Sequence, residues 1–174
     1  MSSAADASSL PVVPPVSVEL ARPEDFARIA ELTVRVYVDG GLAPPEYLPA
    51  LADVEGRAAR AELLVARDPG GRVLGSVALV LDGDFGEVTE SDDEAAFRML
   101  VVDPAERGRG IGERLVARCL ERARAAGKRR MVLSTDLRMS AAHRLYERLG
   151  FTRLAARDWS PVPGVDLRVY ALDL

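Results

Sequence analysis

A stretch rich in arginine and glycine, Arg107 to Gly112, is the part of the sequence best suited to bind an anionic ligand. It lies between an apolar segment that ends at Val102 and a long segment with helical periodicity. The first amides of a helix have no partner within the helix, and the helix dipole makes that end electropositive. Glycines let the main chain curve around a phosphate without side-chain clashes. The spacing therefore predicts a pyrophosphate-binding loop at the start of this helix.

The positions of the glycines argue against two common nucleotide-binding loops. A dinucleotide fingerprint G-x-G-x-x-G that begins at Gly108 would need glycine where Glu113 stands. No Lys-Ser or Lys-Thr pair follows, as a P-loop would require. The pattern present is R-x-x-G-x-G, formed by Arg107, Gly110 and Gly112 and placed three residues after a Val-Asp-Pro that ends at Pro104.

A second pattern, A-x-x-L-Y-x-x-L-G-F, runs from Ala142 to Phe151. The two patterns, in this order and at this separation, resemble the acetyl-coenzyme A (acetyl-CoA) signature of the GNAT superfamily of N-acetyltransferases. The order of elements over residues 16–174 is similar to that family as well. The sequence departs from it twice: Ala96 stands where many relatives carry a glutamate, and Met139 where many carry an asparagine.

The resemblance implies that acetyl-CoA is the acetyl donor. The pantetheine arm would lie in a gap beside the strand that precedes the loop, and a main-chain N–H of that strand would polarise the thioester carbonyl. The cofactor-binding residues so implied are Leu100, Val101, Val102, Arg107, Gly108, Arg109, Gly110, Ile111, Gly112 and Glu113. Arg114 would add positive charge near the loop.

The same resemblance implies that a primary amine attacks the thioester directly in a ternary complex. Tyr146 matches the general acid that the family uses for the departing thiolate, although it would equally suit a role in packing. A base is also required, because an ammonium group is not a nucleophile. Glu94 is the nearest carboxylate and shares the strand parity of Ala96, so it is the candidate base, with a solvated loop-end carboxylate as the alternative.

Two other functions stay open at this stage. A noncatalytic acyl-CoA-binding domain on the same fold would suit the departures at Ala96 and Met139. A nucleic-acid-binding module would suit the arginine-rich pieces at 107–110 and 128–130, but the net charge is −4 and no aromatic residues interleave with them. We therefore expect no nucleic-acid partner.

The acceptor amine is not specified by the sequence. Aminoglycosides, polyamines, amino acids, peptide N-termini and lysines all remain possible, because the acceptor pockets of this family are built from variable segments. The segments expected to wall the pocket are 37–58, 82–94 and 157–164. The single histidine, His143, is expected at the surface, and the single cysteine, Cys119, in the core. One cysteine excludes an internal disulfide, and no His/Cys cluster suggests a metal site.

The elements that position these residues follow from periodicity and turn signals. Strands are predicted at 16–20, 62–67, 72–81, 95–102, 129–134, 151–156 and 165–174, and helices from Pro23 to before Gly40, at 44–60, at 110–126 and at 140–149. Residues 157–164 are predicted to be a loop. This order describes an α/β (α+β) domain, the GNAT fold, with a mixed, mostly antiparallel central sheet of about six to seven strands flanked by about four helices. The unit 95–134 is its one clear parallel crossover.

Bulk properties fit one domain of 174 residues with 48% hydrophobic and 29% charged residues and a mean hydropathy of +0.02. Residues 1–15, rich in Ser, Ala and Pro, are predicted to be a flexible tail before a single domain at 16–174. No apolar run approaches the roughly 18 residues of a membrane helix, and the N-terminus does not resemble a secretory signal. We therefore expect a cytoplasmic protein without a membrane partner, and the resemblance adds a homodimer as an expectation.

Overall fold

One eight-stranded sheet forms the centre of the computed structural model, which describes residues 15–83 and 88–174. Residues 1–14 of the expected tail and residues 84–87 lie outside the described part. The strands are β1 (Ser17–Leu20), β2 (Glu62–Arg67), β3 (Val73–Val80), β4 (Glu94–Val102), β5 (Arg130–Asp136), β6 (Thr152–Arg153), β7 (Trp159–Val162) and β8 (Val165–Asp173). Their order is β1-β2-β3-β4-β5-β8-β6, and β7 pairs with β8.

Five α-helices accompany the sheet within the described ranges. They are α1 (Phe26–Asp39), α2 (Leu48–Ala52), α3 (Val54–Ala58), α4 (Ile111–Ala125) and α5 (Ser140–Arg148). Helix α4 connects β4 to β5, which pair in parallel, whereas the other strand pairs described are antiparallel. The predicted α/β class and the mixed, mostly antiparallel sheet are therefore confirmed, with one strand and one helix more than expected.

The two faces of the sheet bury separate clusters of apolar side chains. Helix α4 turns an apolar stripe toward one face because its buried residues recur at helical spacing; they are Ile111, Leu115, Val116, Cys119, Leu120 and Ala123. Helix α5 packs beside it on the same face, where Tyr146 joins this first cluster. The second cluster lies on the other face under α1 and α3, around Ile29 and Leu32. Cys119 is fully buried, as expected for a core residue.

The segment 44–60 is not the single helix that the sequence suggested. Two short helices, α2 and α3, meet at Asp53, whose ψ of 73° is not helical. The Asp53 carboxylate accepts a hydrogen bond of 2.9 Å from the Gly56 main-chain N–H, which caps the start of α3. The chain therefore changes direction at Asp53.

The C-terminal part of the chain also differs from expectation. The segment 157–164 forms the strand β7 and its turn to β8, where a loop was predicted, while 151–156 pairs only at 152–153 and continues into a 3-10 turn at 155–157. Pro161 lies in β7 without disrupting the sheet because β7 is paired on one side only. Proline and glycine in this segment were the reason for the wrong prediction.

Asp158 stabilises this region in a way that depends on pH. Its carboxylate accepts hydrogen bonds from Arg153 at 2.8 and 2.6 Å and one of 2.9 Å from the Val169 main-chain N–H. The Arg153 hydrogen bonds are the main reason that the pKa of Asp158 falls from 3.8 to about 2. Because the folded-state pKa is the lower one, this stabilisation is complete above 3.8 and is lost as the pH falls toward 2.

We therefore expect Asp158→Asn to reduce the free energy of unfolding at about pH 6 and to have a clearly smaller effect at about pH 2.5. Urea unfolding of both proteins at the two pH values measures the difference. An equal loss at both values would mean that the carboxylate charge does not contribute.

No helix in the described ranges combines the length and the apolar character needed to cross a membrane.

Candidate active site

A gap between the parallel strands β4 and β5 is the central feature of the candidate site. The two strands pair only at Glu94–Arg130, Ala95–Met131 and Ala96–Val132, although β4 continues to Val102 and β5 to Asp136. Beyond Ala96, the edge of β4 that faces β5 is therefore left without a strand partner. A channel between diverging strands exposes main-chain donors and acceptors to a ligand.

A bulge in β4 lies just beyond the point where the strands separate. Its register against β3 shifts between Ser76 and Ala78, and Met99 has a φ of 53° without being glycine. A bulge bends its strand and increases the local twist. Positive φ costs a residue with a side chain about 1–2 kcal/mol, so the surrounding structure must hold Met99 in place.

Val102 offers its main-chain groups to the gap. The main-chain N–H of the next residue, Asp103, donates to the Leu74 carbonyl of β3 at 2.8 Å. Successive residues of a strand turn their main-chain groups to opposite edges, so those of Val102 face away from β3 and those of Val101 face toward it. Leu100 lies within the bulge. Of the three strand residues predicted to hold the cofactor, the structure thus places Val102 most directly at the gap.

On the β5 side, Thr135 supplies a buried hydroxyl at the same gap. Alternate residues of a strand point to the same face of the sheet, and Met131 and Leu133 of β5 belong to the first core cluster. The side chain of Thr135 therefore points to the same face, that of α4 and α5. The hydroxyl oxygen is buried and has no hydrogen-bond partner among the described residues. Buried hydroxyls are almost always paired, so this one fits a ligand with amide groups lying in the gap.

The predicted phosphate loop forms an open cradle at the start of α4. Gly108 and Gly110 have φ of 79° and 72°, and a Cβ atom built on either would meet nothing within 4 Å. The first helical hydrogen bond runs from the Arg114 N–H to the Gly110 carbonyl at 3.0 Å. The main-chain N–H groups of the first turn, from Ile111 to Glu113, therefore have no partner within the helix. This arrangement fits a pyrophosphate group.

The arginines around the loop contribute unequally. Arg109 is paired with Glu106, and Glu106 also pairs with Arg72. Arg114 donates to the Val16 carbonyl at 3.2 Å. Arg107 is exposed. Because Glu106 offsets the charge of Arg109, the main-chain amides and the helix dipole are the principal anion-binding features of this loop.

Tyr146 lies where the gap opens. Its ring is 5.8 Å from that of Phe97, the first β4 residue beyond the pairing with β5, and 6.2 Å from that of Tyr170, which pairs with Leu133 of β5. Burial raises the pKa of Tyr146, so the phenol stays protonated at neutral pH. Complete proton transfer from this phenol to a thiolate of pKa about 8.5 is uphill, and the hydroxyl is best suited to act as a neutral hydrogen-bond donor.

Glu94 has different surroundings from those expected of a base. It lies at the paired end of β4, and Arg157 donates to its two carboxylate oxygens at 2.8 and 3.0 Å. Burial alone would raise the pKa of Glu94, but the hydrogen bonds from Arg157 and from the Glu90 main-chain N–H outweigh it and lower the pKa below its usual value. A carboxylate held in an ion pair is a weak proton acceptor. Its role as the base remains a prediction that these surroundings do not favour.

The substitution Glu94→Gln separates the two roles of this residue. We expect it to reduce the free energy of unfolding by about 2 kcal/mol, because Arg157 loses a charged partner. The rate of acetyl transfer should change little. Loss of a general base would instead lower kcat by about 100-fold or more. Arg157→Gln is the matched control, because it breaks the same ion pair and leaves the carboxylate in place.

His143 is buried, so the expectation of a surface histidine was wrong. Its Nε2 lies 3.0 Å from the main-chain oxygen of Asp136, and its ring is 5.8 Å from that of Tyr170. Burial lowers the pKa of His143, which leaves it neutral at physiological pH. It therefore packs α5 against β8 and links the start of α5 to the end of β5.

A cavity of about 130 Å³ adjoins the bulge on the other face of β4 from Tyr146. Its lining consists of Tyr47, Ala50, Asp53, Arg57, Arg60, Arg98 and Met99. The predicted wall 37–58 contributes four of these residues, whereas 82–94 and 157–164 meet each other at the opposite end of β4 through Glu94 and Arg157. Sequence reasoning did not identify Arg57 or Arg98. The signal for Arg98 was one charged residue within an otherwise apolar strand.

Comparisons with known proteins agree with this geometry. A sequence model described as the acetyltransferase (GNAT) family matches residues 26–151. The N-acetylaspartate synthetase of Rattus norvegicus is 37% identical over 93 residues, covering 51% of this chain and 31% of the rat protein. The mycothiol acetyltransferase of Streptosporangium roseum is 40% identical over 82 residues, covering 47% of this chain and 24% of that protein. The matched region is thus less than a third of each of these relatives.

A solved structure extends the likeness to nearly the whole chain. The protein yncA of Salmonella typhimurium, solved with its cofactor acetyl-CoA, superposes with a TM-score of 0.69 at 24% identity. The superposition covers 92% of this chain and 94% of the Salmonella protein. At this identity the likeness establishes a shared fold, and the predicted fold is confirmed.

Proposed function

The chain belongs to the GNAT acetyltransferase family, and we propose that it transfers the acetyl group of acetyl-CoA to a primary amine. The observation that best supports this proposal is the gap between β4 and β5, which joins the phosphate cradle before α4 to Tyr146. An extended ligand with a pyrophosphate at one end and a thioester at the other fits that course. The family match alone would equally suit a noncatalytic domain that binds acyl-CoA.

The residues of the chain have separate tasks in this proposal. Bound acetyl-CoA supplies an acetyl group activated as a thioester. The N–H groups from Ile111 to Glu113 bind the pyrophosphate, and Val102 and Thr135 bind the pantetheine arm from the two sides of the gap. Tyr146 donates a hydrogen bond to the sulfur as negative charge develops on it. A neutral amine attacks the carbonyl carbon directly, without a covalent acetyl-enzyme. The C–S bond breaks to release CoA thiolate, and this thiolate takes up, through solvent, the proton that the amine loses.

The names of the relatives leave the acceptor open. One is named for N-acetylaspartate and another for mycothiol, and each aligns with this chain over less than a third of its own length. The acceptor must therefore be inferred from the pocket of this chain.

Thermal unfolding with and without acetyl-CoA tests the proposal first. A ligand that binds only the folded state stabilises it by about 2.7 kcal/mol at 100 times its dissociation constant. We expect a clear rise in the unfolding midpoint, followed by release of free CoA when amines are added. No rise in a folded protein would contradict cofactor binding. A rise without CoA release across a broad panel of amines would instead favour the noncatalytic acyl-CoA-binding alternative.

A further inference from the structure

The cavity beside the bulge is placed where an acceptor would approach the gap. Arg98 and Met99, which line it, lie two and three residues beyond Ala96, the last β4 residue that pairs with β5. Arg98 alternates with Phe97 along the strand, so its side chain lies on the opposite face from the ring on which Tyr146 packs. Tyr146 would thus contact the leaving sulfur from one face of β4, and the cavity would hold the incoming amine on the other face.

Positive charge dominates the lining of this cavity. Among the described residues, three arginines line it, Arg57, Arg60 and Arg98, against one carboxylate, that of Asp53. The Asp53 carboxylate is already used, because it accepts the hydrogen bond that caps α3. An amine in its ammonium form gains little from such surroundings unless the same molecule carries a negative group.

Arg57 has fewer hydrogen-bond and ion-pair partners than a buried guanidinium requires. It is 2% exposed, and its Nη2 donates to the Leu51 carbonyl at 2.5 Å. Its Nε is buried without a hydrogen-bond partner among the described residues, and none of their ion pairs involves Arg57. A buried guanidinium without a directly paired carboxylate is costly, and burial lowers the pKa of Arg57 for this reason. A negatively charged ligand would supply the anionic partner that Arg57 lacks.

We propose that the acceptor is an amine that also carries a carboxylate, and that Arg57 binds this carboxylate in the cavity beside the bulge. The proposal rests on the acetyltransferase function proposed above and specifies its substrate class. A guanidinium matches a carboxylate because two parallel N–H groups meet two oxygens. The cavity of about 130 Å³ is smaller than the roughly 300 Å³ of a typical drug-sized pocket, so it suits a compact amino acid or the carboxylate end of a longer molecule.

Matched pairs of acceptors test this inference. Amino acids and their carboxamides have the same amine and nearly the same shape but differ in the negative charge. We expect the acids to release CoA with a kcat/KM about tenfold or more above that of their amides. Arg57→Lys keeps a positive charge but removes the two parallel N–H groups of the guanidinium, and it should reduce this preference by about tenfold. Arg144→Lys, on the exposed side of α5, makes the same exchange elsewhere and should leave the preference unchanged.

A second variant and a binding measurement keep the test decisive. If Arg57→Lys does not fold, Arg98→Gln provides a second test, and it should also weaken the preference for acids over amides. Stabilisation by acetyl-CoA shows whether each variant is folded. Equal or faster reaction of the amides would overturn the carboxylate site while leaving acetyl transfer intact. If no amine reacts, N-acetyl amino acids and their amides are compared by thermal unfolding. Stabilisation by the acids alone, lost in Arg57→Lys, would support the site; its absence would overturn it.

Discussion

Gly110→Glu is expected to abolish binding of acetyl-CoA. Gly110 has a φ of 72°, and its missing Cβ faces open space directly before the first turn of α4. A glutamate there would place a side chain and a negative charge where the pyrophosphate meets the free amides. Loss of two charge-assisted hydrogen bonds would weaken binding by about 100-fold or more. The midpoint of thermal unfolding should therefore no longer rise when acetyl-CoA is added.

The control must account for the backbone cost of replacing this glycine. A side chain at positive φ costs about 1–2 kcal/mol wherever it occurs, so some loss of stability is expected without any effect on the site. Gly71 in the turn between β2 and β3 has a φ of 87° and equally open surroundings. Gly71→Glu should thus lose similar stability and retain binding. Undiminished affinity in Gly110→Glu would remove the loop from the site.

The conformation of the proposed phosphate loop was predictable because it depends on local sequence. Unpaired amides at a helix start, glycines that allow positive φ and an apolar strand before them all lie within a few consecutive residues. Helix α4 was predictable for a similar reason, since its periodicity from Ile111 to Ala123 alone defines the buried side. The cradle can therefore be inferred without knowing which other elements pack around it.

The gap was implied only by resemblance, because it depends on register between distant strands. Met99 adopts positive φ without being glycine, so no residue type marks the bulge. The separation of β4 from β5 follows from pairings between residues that are more than thirty positions apart. Strand parity likewise suggested Glu94 as a base, whereas its partner Arg157 comes from a turn 63 residues later in the chain. The residue pattern within one strand does not predict contacts with segments so distant in the chain.

Burial of single polar residues was the least predictable feature. Arg57 lies in a helix of five residues whose sequence, VEGRA, resembles a solvated surface turn. It is buried where α3 packs against α1 and β2, with its guanidinium at the Leu51 carbonyl of α2, and no local rule anticipates that arrangement. His143 is a similar case, since it occupies an unspecified position of its motif and is covered by β8. The inference about the acceptor was therefore accessible only from the structure.

Tyr146→Phe is expected to lower kcat by about 10- to 100-fold, the cost of losing one hydrogen bond to a charged group. The ring would still pack against Phe97 and Phe151, so folding and the affinity for acetyl-CoA should stay close to those of the unchanged protein. Rapid measurement of CoA release at saturating amine gives kcat, and thermal unfolding gives the affinity.

Tyr170→Phe is the control for this substitution because Tyr170 belongs to the same aromatic cluster, with its ring 6.2 Å from that of Tyr146. Its hydroxyl donates to Glu147 at 3.2 Å. Removal of that hydroxyl should affect stability but not kcat. Equal rates in the two variants would mean that the Tyr146 hydroxyl contributes only to packing. A loss confined to Tyr146→Phe would identify the Tyr146 hydroxyl as the hydrogen-bond donor to the leaving sulfur. Burial raises the pKa of Tyr146, so its phenol stays protonated at the pH at which an amine attacks.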